Sequence, residues 1–91
     1  MPLINRIRRK VREGDYVFTY HALNKSLPDD GYTPNDALNA ILTGHVAEIY
    51  EHDEREPRYA VVGAALDGYA LEVICRFTFT SDLLIITVYA L

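Results

Sequence analysis

Four side chains in this sequence are suited to acid–base or anion-binding chemistry: His21, Glu72, Arg76 and Tyr89. Glu72 and Arg76 belong to the segment 69–79, in which every second residue, starting from the first, is apolar. Because residues two apart in a strand share a face, Glu72 and Arg76 lie together on the other face, about 13 Å apart at ~3.3 Å per residue. Such a pair is either a solvent-exposed surface or the floor of a site, and the sequence leaves both open.

Each of these residues has a functional and a purely structural interpretation. His21 follows a short predicted strand and could act as a general acid or base, or hydrogen-bond a backbone carbonyl. Glu72 suits a general base if its sheet face is covered, but it is an ordinary surface residue if that face is open to solvent. Arg76 could bind a phosphate or pair with a neighbouring acid. Tyr89, which shares a strand face with Thr87, could donate to a phosphate or simply pack.

Length and composition indicate a single domain. The chain has 91 residues, of which 49% are hydrophobic, enough for one domain with a core. Its single cysteine, Cys75, excludes an internal disulfide and is predicted to be a small core residue.

No apolar stretch reaches the ~20 residues of a membrane span, and arginines occupy the place of a signal-peptide core, so we expect a cytoplasmic protein that does not use a membrane. His45 and His52 have no metal-ligand spacing with Cys75, so neither a metal nor another cofactor is predicted.

A strongly basic segment precedes an acidic body. The net charge of the chain is -4, yet the first predicted helix carries its basic residues close together with no acid between them. These residues are Arg6, Arg8, Arg9, Lys10 and Arg12. Such a segment could hold the backbone of RNA or contact an acidic partner, or it could be a solvent-exposed helix face.

The pattern of apolar and turn residues predicts helices followed by an antiparallel sheet. Helices are predicted over 3–13, 21–27 and 34–43, and strands over 16–20, 45–52, 59–66, 69–79 and 83–90. Thr33 is the expected N-cap of the third helix, a charged loop is expected over 51–58, and Asp67 with Gly68 predicts a type I′ hairpin. This order favours an α+β fold with N-terminal helices packed on a four- to five-stranded, mainly antiparallel β-sheet.

Six short motifs occur in an order that is typical of one family. They are YVFTYHA at 16–22, TPND at 33–36, EIY at 48–50, PRYAVVG at 57–63, LEVIC at 71–75 and ITVY at 86–89. Over residues 6–90 the chain therefore resembles the domain of unknown function family 4258, a group of small bacterial proteins. That family is in turn similar to the barnase-, colicin- and RelE-like folds, which include metal-free ribonucleases that act as toxins beside an antitoxin.

The resemblance implies a site on a face of the sheet that includes His21, Arg76 and Tyr89. Relatives often carry a histidine at the position of Glu72. The resemblance therefore implies an altered or lost activity in this chain, unless Glu72 and His21 together supply the base and the acid that a metal-free cleavage of RNA needs.

Two functional hypotheses follow. In the first, the chain is a RelE- or barnase-like endoribonuclease in which Glu72 is the base, His21 is the acid, Arg76 stabilises the phosphorane charge and the basic helix holds RNA. In the second, the chain is a non-catalytic module that binds an antitoxin-like protein or a second copy of itself through an exposed sheet edge. The final strand, 83–90, is β-prone and would need such a partner if it lay at an edge.

Overall fold

The computed structural model of the protein describes residues 2–52 and 55–91. The helices are α1 (Leu3–Glu13), α2 (π-helical over Ala22–Ser26 and α-helical over Leu27–Asp29) and α3 (Pro34–Thr43). The strands are β1 (Tyr16–Phe18), β2 (His45–His52), β3 (Arg55–Ala64), β4 (Ala70–Phe77) and β5 (Leu83–Ala90). No helix in these described ranges is long and apolar enough to cross a membrane.

The strands form one mixed sheet in the order β1-β5-β4-β3-β2. β1 runs parallel to β5, and the pairs β2–β3, β3–β4 and β4–β5 are antiparallel. The predicted α+β class, with helices packed on a mainly antiparallel sheet, is therefore confirmed. The final strand does not lie at an edge, because β1 pairs with its first residues; the two edge strands are β1 and β2.

Helices α1 and α3 cover one face of the sheet and bury the core between them. Ile7 and Val11 of α1 and Ile41 of α3 belong to one cluster with Val61 of β3 and Val73 of β4. Removing such apolar side chains from water is the main stabilising term of the fold. Alternate strand residues point away from this core, and we call the surface that they form the open face.

Two glycines let α3 lie directly on the sheet. A Cβ atom on Gly63 of β3 would collide with the carbonyl oxygen of Ala40, and one on Gly44 would collide with the carbonyl oxygens of Val62 and Ala40. Gly44 has an extended backbone with φ -98° and ψ -170°, so it is required for close approach and not for a left-handed turn. The absence of two side chains therefore sets the distance between α3 and the sheet.

Thr33 is the N-cap of α3, as predicted, and it forms a capping box with Asp36. The Asp36 carboxylate accepts from the backbone N–H of Thr33 at 2.8 Å, and the Asp36 N–H donates to the Thr33 hydroxyl at 3.4 Å. The same carboxylate also accepts from the backbone N–H of Leu66 at 2.9 Å, which ties α3 to the loop after β3. These hydrogen bonds, first of all those from Thr33, hold the pKa of Asp36 below its usual value against the opposing effect of burial.

Several element boundaries and one turn type differ from the sequence-based expectation; β4, for example, ends at Phe77 and not at residue 79. The charged loop predicted over 51–58 is wrong where the structure describes it, because β2 continues to His52 and β3 already begins at Arg55; residues 53–54 lie outside the described residues. The hairpin before β4 is not a type I′ turn, because only Gly68, with φ 91°, has a positive φ there. β1 ends at Phe18, because the hydroxyl of Thr19 accepts from the N–H of Ala22 at 3.1 Å and begins α2.

Candidate functional site

Glu72 lies in a cross-strand row on the open face. It is paired with Val62 of β3 on one side and with Tyr89 of β5 on the other. Residues directly opposite each other in antiparallel strands have Cβ atoms about 5 Å apart, close enough for their side chains to interact. Glu72 is half-buried and Tyr89 is 48% exposed. The alternation that placed Glu72 on the face opposite Val73 and Cys75 is thus confirmed.

A cavity of about 570 Å³ opens beside this row. Its lining comprises Ile49, Tyr50, Glu51, Arg58, Glu72, Ile74, Ile86, Thr87 and Tyr89. The floor is apolar, two tyrosines and a guanidinium lie around it, and its carboxylates come from two different strands. We call this the Glu72 cavity. Its volume is within the range of about 300–1,000 Å³ that is usual for small-molecule sites.

A β-bulge in β5 points polar side chains into the Glu72 cavity. Ile74 pairs with Thr87 but the next residue, Cys75, pairs with Ile85, so Ile86 is an extra residue on β5. The bulge reverses the direction of every side chain after it, since a shift of one residue exchanges the two faces. Thr87 and Tyr89 consequently point to the open face, while Val88 is buried on the core side.

Thr87 lines this cavity, and its hydroxyl is buried without a hydrogen-bond partner among the residues that the structure describes. Thr87 is only 7% exposed. Buried hydroxyl groups are nearly always hydrogen-bonded, and leaving one unpaired costs roughly 1–3 kcal/mol. The sequence indicated that Thr87 shares a face with Tyr89, but nothing in the sequence marked its hydroxyl as unpaired.

His21 lines a second cavity, of about 210 Å³, which also contains Tyr89. The other residues of that lining are Ser26, Asp29, Asp30 and Val88. We call this the His21 cavity. Tyr89 lines both cavities, whereas Glu72 lines only the first of the two and His21 only the second. The structure thus places His21 and Glu72 on either side of one tyrosine.

Hydrogen bonds from β5 to side chains of α2 and of the residue after it hold together the walls of the His21 cavity. Beyond β1, the free edge of β5 would expose unpaired backbone groups, but the N–H of Val88 donates to the Ser26 hydroxyl at 3.2 Å. The N–H of Ala90 donates likewise to the Asp30 carboxylate at 2.9 Å. These bonds fix α2, and with it His21, beside the end of β5. They also satisfy N–H groups that an incoming strand would otherwise use.

Arg58, and not Arg76, brings a guanidinium to the Glu72 cavity. Arg76 lies on the open face as predicted, but it does not line this cavity, and its Nη1 donates to the carbonyl oxygen of Phe77 at 3.4 Å. Arg58 was missed because we assigned it to a loop, and Tyr50 because the predicted strand 45–52 had no predicted neighbour. Arg58 directly precedes the predicted strand 59–66, so extending that strand by one residue would have placed Arg58 on the face opposite Tyr59.

The basic residues of α1 form a separate surface. Arg6 lies over the ring of Phe77 at 4.8 Å, and Arg9 forms a salt bridge of 2.9 Å with Glu13. Arg8 donates to the carbonyl oxygens of Ile41 and Gly44, so it joins α1 to the end of α3. Arg12 is exposed.

A third cavity, of about 270 Å³, is lined by Arg6, Arg9, Lys10, Glu13, Phe77 and Ser81. Because α1 packs on the core side of the sheet, the basic surface and Glu72 lie on opposite sides of it.

Cys75 is a core residue, as predicted. Its thiol is fully buried, and burial raises the pKa of Cys75 to about 12, so the reactive thiolate is scarce near neutral pH. No group of three or more His, Cys, Asp or Glu side chains that could hold a metal ion occurs within the described ranges.

The architecture defines an α+β domain with helices on one face of a mixed sheet and a polar cluster on the other. Residues 18–90 match the family model of the Domain of unknown function (DUF4258). This range is most of the chain, and the protein belongs to the DUF4258 family. The matched range contains His21, Glu72 and Tyr89 but begins after the basic residues of α1.

No curated protein and no solved structure is significantly similar to the chain. The similarity to barnase- and RelE-like folds therefore stays a prediction, and it carries no argument about the site.

Proposed function

We propose that this domain is a metal-independent endoribonuclease whose reaction takes place beside Tyr89. One observation supports this function most directly. Tyr89 lines both the Glu72 cavity and the His21 cavity, so two groups capable of proton transfer line cavities that share one tyrosine. Metal-free cleavage of RNA needs this set: a base at the attacking hydroxyl, an acid at the leaving oxygen and a donor to the phosphate between them.

The reaction is an internal transesterification. The Glu72 carboxylate takes the proton of a ribose 2′-hydroxyl, and the 2′-oxygen forms a bond to the adjacent phosphorus. The protonated imidazole of His21 gives its proton to the 5′-oxygen as the bond from phosphorus to that oxygen breaks. The products are a 2′,3′-cyclic phosphate and a 5′-hydroxyl, and exchange with water returns Glu72 and His21 to their starting states. The Tyr89 hydroxyl donates to a phosphate oxygen while charge accumulates there.

Three groups of basic side chains would hold the RNA backbone. Arg58 lines the Glu72 cavity, and Arg76 lies further along β4 on the same face. Phe77, which follows Arg76, lines the cavity of α1 together with Arg6 and Lys10. A strand of RNA that passes round the turn between β4 and β5 would therefore meet Arg76 first and then the basic surface of α1.

Replacing the base tests the proposal. We expect Glu72→Gln to keep the fold but to lower RNA cleavage by at least about 100-fold, because the amide cannot accept the 2′-hydroxyl proton. The assay is cleavage of a labelled single-stranded RNA in excess EDTA, with identification of the cyclic phosphate end. Glu48→Gln is the matched control, since Glu48 is an exposed carboxylate of β2 that does not line the Glu72 cavity. Cleavage by Glu72→Gln at the native rate would refute the mechanism.

A second candidate function, a protein-binding module, is favoured by the free edge of β2. This edge strand borders a cavity of about 600 Å³ lined by Pro2, Leu3, Ile4, Val46, Ala47, Glu48 and Ile49. Ile49 is 50% exposed there. An antitoxin-like protein or a second copy of the chain could add a strand to β2 and cover these apolar residues. The proposed contact is therefore the edge strand β2, and not the last strand, β5, which the sequence suggested.

The two candidates are separated by Ala47→Lys, a change at an exposed residue of β2 that lines the cavity at this edge but not the Glu72 cavity. We expect this change to abolish a dimer or a partner complex, because a buried lysine without a counter-ion opposes strand addition, while RNA cleavage is kept. Light scattering after size-exclusion chromatography gives the mass. A native protein that is monomeric at high micromolar concentration and purifies without a partner would contradict the binding module.

A further inference from the structure

We infer that the Glu72 cavity binds one unstacked nucleobase of the RNA, with the hydroxyl of Thr87 as its polar contact at the floor. The inference rests on the proposed function for the class of ligand, single-stranded RNA. It adds the site that holds the base and the position of that base relative to the cleaved bond. Thr87 has no part in the proposed proton transfers, and its burial is the observation from which the inference starts.

Thr87 combines deep burial with an unpaired polar atom. It is 7% exposed and lines a cavity that opens to solvent, while its hydroxyl is shielded from solvent and has no partner among the described residues. A hydroxyl is both a donor and an acceptor, and so are the edges of every nucleobase. Rotation of the Thr87 side chain about χ1 would turn this hydroxyl towards a base at the floor, which would pair it and recover the hydrogen bond that the fold by itself does not make.

The surroundings of the hydroxyl fit a flat, largely aromatic ligand. Ile74 and Ile86 form an apolar floor beside Thr87. Tyr50 of β2 and Tyr89 of β5 lie at the rim, on opposite sides of the cavity, and are 44% and 48% exposed. Aromatic side chains on an open sheet surface are the usual stacking partners of splayed-out RNA bases, because every base has a π face.

The charged groups around the cavity favour a nucleotide as its ligand over an uncharged aromatic compound. Arg58 can contact a phosphate, and Glu51 can accept hydrogen bonds from the N–H groups of a base. Neither forms a salt bridge with a side chain that the structure describes. One cavity thus offers stacking surfaces, a hydroxyl at its floor and both signs of charge at its rim.

The position of Glu72 determines which nucleotide occupies the cavity. Glu72 lines the cavity next to Tyr89, and His21 lies on the far side of Tyr89. With a base inside the cavity, its own ribose lies at the rim beside Glu72, and the following phosphate lies beside Tyr89. The bound base therefore belongs to the nucleotide that supplies the attacking 2′-hydroxyl, and the leaving 5′-oxygen points towards His21.

Binding without cleavage tests the inference independently of the proposed reaction. The probe is a fluorescently labelled single-stranded RNA with 2′-fluoro groups, which has no attacking hydroxyl, and the readout is fluorescence anisotropy. We expect Thr87→Val to weaken binding by about 5- to 10-fold, the effect of one lost hydrogen bond. Tyr50→Ala should weaken it by about as much or more, since the stacking surface is lost. Tyr69→Ala, at a 72% exposed tyrosine that does not line the cavity, should bind normally.

A stability measurement excludes a merely structural role for Thr87. Without RNA, Thr87→Val should unfold at the same or a higher denaturant concentration than the native protein, because the change removes an unpaired buried hydroxyl. Loss of stability together with loss of binding would overturn the inference.

An unchanged RNA affinity of Thr87→Val would also overturn the inference. So would a dimer of the native protein in which a second copy of the chain covers Tyr50 and Tyr89. If the native protein fails to cleave ordinary RNA while Thr87→Val still weakens binding, the base site stands and only the ribonuclease proposal fails.

Discussion

Glu72 and Tyr89 lie directly opposite each other on β4 and β5, with both side chains on the open face. This pairing exists only because Ile86 is a bulge residue. Without the bulge, strict alternation would place Tyr89 on the same side as Leu83 and Ile85, which belong to the core. Because Ile86 is an extra residue in β5, Tyr89 faces the carboxylate of Glu72 instead of packing against the helices.

Two substitutions at Tyr89 should distinguish the contribution of its hydroxyl to RNA cleavage from that of its ring. We expect Tyr89→Phe to lower kcat for RNA cleavage by about 10- to 100-fold with little change in KM, because a donor to the phosphate is lost but the ring remains. Tyr89→Ala should also raise KM, since it removes a wall of both cavities. Tyr69→Phe, a 72% exposed tyrosine that precedes β4, is the matched control. Full activity of Tyr89→Phe would exclude its hydroxyl from the reaction.

The basic surface of α1 should affect RNA affinity and not the chemical step. We expect the double variant Arg9→Gln, Lys10→Gln to bind RNA more weakly, with the slope of log K against log salt reduced by about 0.7 for each lost phosphate contact. The rate at saturating RNA should not change, because these residues lie across the sheet from Glu72. Glu13→Gln, which removes the acid that pairs with Arg9, should instead strengthen binding. A salt slope identical to that of the native protein would remove α1 from the RNA path.

Asp36 should make the fold less stable in acid. Its hydrogen bonds from Thr33 and Leu66 lower the pKa of the folded-state carboxyl, so its contribution is complete above the unfolded-state pKa and is lost as pH falls through the lower folded-state pKa. We expect Asp36→Asn to be less stable at pH 7 by about 1 kcal/mol, with the difference shrinking below about pH 4. Urea titrations at several pH values measure this. A difference that persists undiminished at about pH 2 would contradict the assignment.

Gly63 should tolerate no side chain. We expect Gly63→Ala to lower the free energy of unfolding by about 2–4 kcal/mol, because its methyl group would collide with the backbone of Ala40 and push α3 off the sheet. Gly68→Ala is the comparison: nothing lies near its added Cβ, and only the positive φ of 91° opposes it, at about 1 kcal/mol. Equal losses of stability in the two variants, measured by chemical denaturation, would show that α3 can move.

The sequence by itself determined the features that depend on neighbouring residues. The bounds of α1 and of β5, the N-cap Thr33 and the two faces of β4 were all predicted from periodicity and turn chemistry. Such patterns suffice because each residue's direction follows from residues two to four positions away. The α+β class followed from the order of these elements, and His21 and Glu72 were candidates from their residue types alone.

Only the tertiary structure decided which of these residues meet. The parallel pairing of β1 with β5 put the last strand inside the sheet and left β2 as a free edge, a choice that no local pattern encodes. The bulge at Ile86 brought Tyr89 to Glu72, and the pairing of β2 with β3 brought Arg58 to the same cavity. Packing of α1 against the core placed its basic residues across the sheet from Glu72. These relationships depend on contacts between distant segments, which the folded chain fixes by burying its apolar face.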